Sequence, residues 1–532
     1  SVDGGLANDV LLGGRRNITK NSGAGGDSMY GGTGNDLYYV DSNSDFTADM
    51  DNGSGGGVDK IISSAPAITM GAWIENAEIP ESVGAGTTVI GNALSNYIKG
   101  NSFNNGLRDG SGGKDTLEGG AGNDIYEIVW DASGQDVIID SAGTSDVLNL
   151  SVTAAVADVA ANHTVALAGG LAAIENLDLS IAAYVGTVLF TGFAVTGNAA
   201  INVITGSNLA DTIAGGDGND SIDGGAGLNS IDGGNGDDIL RSSAVGDTLT
   251  GGAGNDLFYV GTGDKVVELA AGGIDRIAAI DADVDLTSVQ WGGGNVENAD
   301  IRALAATGSL IGTAGTNVLR VLDAGGAFTV TMTGGAGNDT YHIGDAAGSG
   351  SVDWTKVTVT EAAGAGGGID TVETYVSSIT LWANVENLRL GVYDTGSFVA
   401  LGTGNSLDNV ITGNAGNNGL DGGAGNDTLD GGDGNDTYAV DGAGDKVIEA
   451  LGKGSDAVYF APATGLSFVL PDNVESGYLY NQTLTKTTGN AIGLTGNLLD
   501  NLLEGNDPQA NALDGAAGND TLYGWGGTDT LL

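Results

Sequence analysis

The chain has 532 residues, with 97 Gly, 5 Pro and no Cys, and 68 acidic against 17 basic side chains give it a net charge of −51. That balance excludes nucleic acid as the obvious partner, the lack of Cys excludes disulfides and thiolate metal sites, and the lack of any run of 18 apolar residues leaves no segment to insert in a membrane. With 41% hydrophobic residues, a compact state of such a chain calls for counter-charge, most simply divalent cations, around a core that is thin and stacked rather than globular.

In chain order, SVDGGLANDV has no initiator Met and none of the basic and apolar segments of a secretory leader, so the sequence reads as starting in mid-pattern, as a processed product or fragment would. Arrays of a nine-residue unit then alternate with longer spacers. Arrays are expected at 4–39, 91–127, 197–259, 312–342, 404–439 and 496–532, and spacers at 40–90, 128–196, 260–311, 343–403 and 440–495. Residues 197–259 hold seven units in unbroken register, from GNAAINVIT to GGAGNDLFY, and residues 404–439 hold four. Degenerate units, GGRRNITKN at Gly13 and NSFNNGLRD at Asn101, interrupt the first two arrays.

Each spacer carries a related core: WIENAEI from Trp73, AIENLDL from Ala173, NVENADI from Asn295, NVENLRL from Asn384 and NVESGYL from Asn473. Alternating apolar residues between Gly-rich breaks predict short strands throughout, with a short helix permitted at 151–162 by Val152, Val156 and Val159. If the spacers coil too, stacked Asn from pairs such as Glu75/Asn76, Glu175/Asn176, Glu297/Asn298 and Glu386/Asn387 would satisfy backbone groups rather than bind a ligand. The eighth position of a unit is aliphatic, as at Ile213, Ile222, Ile231, Leu240 and Leu249, but five arrays end with an aromatic there: Tyr38, Tyr126, Phe258, Tyr341 and Tyr438. These read as core plugs where the cross-section widens.

The unit explains itself as an oxygen cage. Gly at positions one, two and four permits positive φ and close approach of carbonyls, Asp at position six adds a carboxylate, and positions seven to nine form a strand with the eighth side chain inward. Two units make one turn, so residues 18 apart stack. Asp220 is expected to face Asp238, and Asp238 to face Asp256; on the other edge Asp211 faces Asn229 and Asn229 faces Asp247; Asn409 pairs with Asp427 and Asn418 with Asp436. In the shorter arrays Asp36, Asp115, Asp124, Asp339, Asp520 and Asp529 hold the same position. A hard cation, Ca²⁺ in preference to Mg²⁺, is expected between the loops, more weakly where Asn replaces Asp. Ordinary Asx turns explain an isolated unit equally well but not the fixed place of Asp along 197–259.

These units resemble the nonapeptide repeats of the RTX (repeats-in-toxin) family. The resemblance implies an all-β fold, a parallel β-roll or β-solenoid running through 1–532, multiple Ca²⁺ ions, folding outside the cell and type I secretion. No His-Glu-x-x-His, Gly-x-Ser-x-Gly or phosphate-binding loop is present, and His163 and His342 read as incidental, so no enzyme is expected. Units at Gly4 and at Leu532 suggest head-to-tail homopolymers, and hence a filament, sheath or surface layer. The alternatives are a folding and secretion module of a larger enzyme or adhesin, and an adhesin for cell-surface polysaccharide using Trp291, Trp354 and Trp525. About 15 Ca²⁺ ions would reduce the charge to about −21.

Overall fold

The computed structural model describes residues 2–5, 10–12, 26–48, 57–130, 136–140, 143, 145–152, 163–166, 174–179, 192–243, 246–270, 272–280, 283–302, 307–323, 329–344, 354–364, 366–391, 400–461, 466–480, 492–506 and 510–532. Apart from short 3-10 turns at Glu81–Val83 and Trp354–Lys356, the regular structure among these residues is β-strand, and the strands pair in parallel. Two compact units are distinguished, Ser1–Gly273 and Ile274–Leu532, each a stack of β-coils.

In the first unit the seven-repeat array lays down two facing ladders. On one side Val203–Thr205, Ser221–Asp223, Ile239–Arg241 and Leu257–Val260 pair in register. On the other, Phe193–Thr196, Thr212–Asp217, Ser230–Asn235, Thr248–Ala253 and Lys265–Val267 do the same. The eighth residues stack as Ile204, Ile222, Leu240 and Phe258 on one ladder and Ile213, Ile231, Leu249 and Val266 on the other, all buried. One such side chain per strand suffices because the ladders face each other and positions seven and nine lie toward solvent.

Spacers coil in the same manner. Their Glu-Asn cores form strands Asn76–Glu78 and Asn176–Asp178 in the first unit and Asn298–Arg302, Asn387–Leu390 and Ser476–Leu479 in the second, each paired with a strand on both sides. What varies is turn length: equivalent rungs lie 18 residues apart within an array but up to 31 apart where a spacer intervenes. Tyr38, Tyr126, Phe258, Tyr341 and Tyr438 are fully buried. Of the helix expected at 151–162, Ser151 and Val152 close the strand Val147–Val152, and 153–162 lie outside the described residues.

Candidate metal centres

Each repeat loop is shaped by glycines acting in two ways. At positions two and four the backbone is left-handed, with φ of +118° and +110° at Gly216 and Gly218 and +109° and +133° at Gly234 and Gly236. Position one differs from the sequence expectation: Gly215 and Gly233 do not have positive φ, and their requirement is steric. A Cβ on Gly215 would overlap Asp220 Oδ2 and lie 2.6 Å from the Gly233 carbonyl oxygen; one on Gly233 would overlap Asp238 Oδ2 and lie 2.9 Å from the Gly251 carbonyl. The missing side chain thus leaves a cradle lined by a carboxylate from one coil and a carbonyl from the next.

The expected partners come together through a shared rung. Oδ1 of Asp238 accepts the backbone N–H of Asp220 at 2.7 Å, and Oδ1 of Asp256 accepts that of Asp238 at 2.8 Å. On the opposite edge Asp211 N–H donates to Asn229 Oδ1 at 2.9 Å and Asn229 N–H to Asp247 Oδ1 at 2.7 Å. Asn409 and Asn418 donate in the same way to Asp427 and Asp436 at 2.8 and 2.6 Å. Asp115, Asp124, Asp339, Asp520 and Asp529 accept from Asn96, Asn105, Asn317, Asn501 and Asn511, whereas the Asp36 N–H donates to a spacer residue, Asp59.

The second carboxylate oxygen is the chemically open one. Oδ2 of Asp124, Asp146, Asp220, Asp238, Asp339, Asp427 and Asp436 is buried with no hydrogen-bond partner. Lys and Arg side chains pair instead with Glu78, Glu118, Glu127, Asp300 and Asp433. Burial pushes the Asp220, Asp427 and Asp436 carboxyls up to about 6 and Asp238 up to about 7, against the opposing pull of the rung hydrogen bond. Buried, all-oxygen, anionic cradles with an unbonded oxygen fit a hard divalent cation.

Several rung residues escape the nine-residue pattern. Asp59, Asp146, Asp370 and Asp456 accept from the last Asp of an array, and then donate their own N–H to Glu75, Glu175, Glu386 and Glu475 of the spacer cores. The next array opens on an amide: Asn202, Asn317 and Asn409 donate Nδ2–H to the carbonyls of Glu175, Glu297 and Glu386. Three-carboxylate clusters arise beside these rungs, Asp109/Asp115/Asp136, Asp124/Asp140/Asp146, Asp339/Glu361/Asp370 and Asp436/Glu449/Asp456, each with oxygens within 4.8 Å of one another. The sequence signal that finds the last three is an Asp-x-Tyr closing an array, followed by an acid and by an Asp ahead of the spacer core; Asp109/Asp115/Asp136 carries no such signal.

A family model described as the RTX calcium-binding nonapeptide repeat (4 copies) matches residues 21–46, 90–126, 205–240, 232–264, 324–345, 403–438 and 500–532. The chain carries RTX calcium-binding repeats. No curated protein matches it. RTX nonapeptide repeats bind multiple Ca²⁺ ions, and the acidic clusters above could hold such ions.

Two further sequence readings meet the RTX fold. Three of the four spacer amides work on the backbone, Asn76, Asn176 and Asn298 donating Nδ2–H to the carbonyls of Asp59, Asp146 and Asp275 at 3.1 Å, whereas Asn387 donates to the Thr371 hydroxyl at 3.2 Å. Trp291 is a correction: it is buried, packed inward from a turn, and offers no face to a sugar, whereas Trp525 is exposed and the Trp354 side chain is outside the described set. His342 faces Glu373 Oε2 at 3.7 Å, and burial lowers its basicity.

Proposed function

We propose that this protein is an extracellular, non-catalytic structural scaffold whose RTX coils set on Ca²⁺ and which assembles into a filament, sheath or surface layer. One observation carries the reading: the spacers are threaded into the coil stack and continue the rungs of the arrays, so the repeats and the sequence between them build the same kind of structure. Spacers made to the same rule as the arrays support a continuous structural element over a module serving export alone. Ca²⁺ is held at Asp36, Asp115, Asp124, Asp211, Asp220, Asp238, Asp247, Asp256, Asp339, Asp427, Asp436, Asp520 and Asp529. Asn229, Asn409 and Asn418 bind it weakly, because their amide nitrogens donate to the carbonyls of Gly225 and Val385 and to Asn414 Oδ1. Type I secretion delivers the chain to calcium-rich surroundings, with copies of itself and cell-surface polysaccharide as partners.

Circular dichroism of chelated protein titrated with Ca²⁺ tests the switch, with a large gain of β signal expected. Electron microscopy with and without Ca²⁺ tests assembly: ordered polymers support it, and dispersed monomers at millimolar calcium overturn it.

A further inference from the structure

We propose that arrays are closed at their C-terminal side by a cation site of a second kind, a three-carboxylate cage that fills before the repeat sites and fastens the following spacer coil to the array. The proposal rests on the calcium reading above, but its residues lie mostly outside the nine-residue frame.

Three of the four clusters close an array and carry its terminal tyrosine, the group that reports on them below: Asp124/Asp140/Asp146, Asp339/Glu361/Asp370 and Asp436/Glu449/Asp456. Each gathers one acid from the last repeat, one from the strand-and-turn that follows, and one from the start of the next coil on that edge. Convergence is visible at Gly334, where a Cβ would overlap Asp339 Oδ2, Tyr341 OH and Glu361 Oε1 together; at Gly431 it would overlap Asp436 Oδ2 and Tyr438 OH.

Acid clustering alone would be weak, but at least one acid of each cage is buried with an unbonded oxygen, while Asp140 and Glu449 are half-buried. Asp124, Asp146, Asp339 and Asp436 are at most 1% exposed, and their Oδ2 atoms have no hydrogen-bond partner. The middle acid is held by the terminal aromatic: the phenols of Tyr126, Tyr341 and Tyr438 donate to Asp140, Glu361 and Glu449. In the second unit the spacer core grips the same residue, since Asn384 and Asn473 donate Nδ2–H to the carbonyls of Glu361 and Glu449 at 3.0 Å. An ion in the cage therefore touches the array directly and the spacer through its ligands.

Loading order follows from charge. Within an array each carboxylate sits among carbonyls, while a cage sets three carboxylates around one point, and affinity for Ca²⁺ rises with ligand charge. The opposite end of an array is an amide that donates to carbonyls and needs no ion. Filling thus starts at the closing end and proceeds toward the opening one.

The test is a Tb³⁺ titration of the full chain, read by tyrosine-sensitised emission, circular dichroism and equilibrium dialysis. Expected is an early emission phase of about three ions per chain, complete before the β signal saturates. The triple variant Asp140→Asn, Glu361→Gln, Glu449→Gln should lose those ions or bind them at least about tenfold more weakly. Asp220→Asn with Asp238→Asn should keep the early phase and lose only the share of late binding that belongs to those rungs. Tyr126→Phe, Tyr341→Phe and Tyr438→Phe combined should abolish early emission while dialysis still counts the ions. An early phase that survives the acid triple variant, or vanishes in the Asp220/Asp238 variant, overturns the proposal. A β signal indifferent to any metal instead sinks the calcium reading beneath it.

Discussion

At the scale of single residues, the glycine before each carboxylate is as specific as the carboxylate itself. Gly233→Ala would drive a methyl into Asp238 Oδ2, so it should cost about 1–3 kcal/mol and weaken calcium binding at that rung, by thermal melting and calcium titration. Gly315→Ala is the control: its nearest neighbour would be Thr313 Oγ1 at 3.6 Å, and the melting temperature should hardly move. The buried acids also set a pH dependence. With folded values near 6 to 7 at Asp220, Asp436 and Asp238, above an unfolded value of about 3.9, the protonated form is favoured by folding. In chelator the stabilisation is therefore complete below about pH 4 and lost as pH rises through 6 to 7. Urea melts should show more stable protein at pH 5 than at pH 7.5 without Ca²⁺, and the reverse order with it, since the ion needs the ionised carboxylate.

Among the elements, the coil depends on thin ladders in which one inward side chain per strand does the burying. Leu240→Ala, which removes a fully buried residue between Ile222 and Phe258, should lose about 2–5 kcal/mol in denaturant unfolding. Array openings rely on a donor rather than a charge. Asn409→Asp replaces an Nδ2–H bonded to the Val385 and Glu386 carbonyls with a carboxylate facing them, and should cost about 1–3 kcal/mol that added Ca²⁺ only partly restores. Much of this level was legible in the sequence: a nine-residue period, Asp at its sixth place and an aliphatic residue at its eighth translate directly into stacked rungs. Spacer rungs were not, because their separations run from 16 to 31 residues and the residue type changes from Asp to Glu to Asn along the same ladder. Tyr341 and its counterparts were recognisable as core from their alignment with aliphatic positions, but a hydroxyl reaching an acid 20 residues away leaves no periodic trace. Trp291 fails for a related reason, since burial of one indole in a Gly-rich turn is decided by tertiary packing.

For the whole molecule, charge is the governing quantity. A chain at −51 that buries part of that charge in paired acids needs counter-charge near neutral pH, so chelation there should expand it in solution scattering and Ca²⁺ should contract it. The rungs add something that composition does not: direction. In each of them the backbone N–H belongs to the earlier coil and the accepting side chain to the later one. A coil stripped of its successor is left with the buried N–H of its rung residue bare, whereas one stripped of its predecessor frees the rung carboxylate and the N–H of the strand residue just after it, as at Ile239, which donates to the Asp220 carbonyl. The stack accordingly has a grain: its carboxylate rungs all point one way, so its two faces expose different groups, although the strand ladder beside them bonds in both directions.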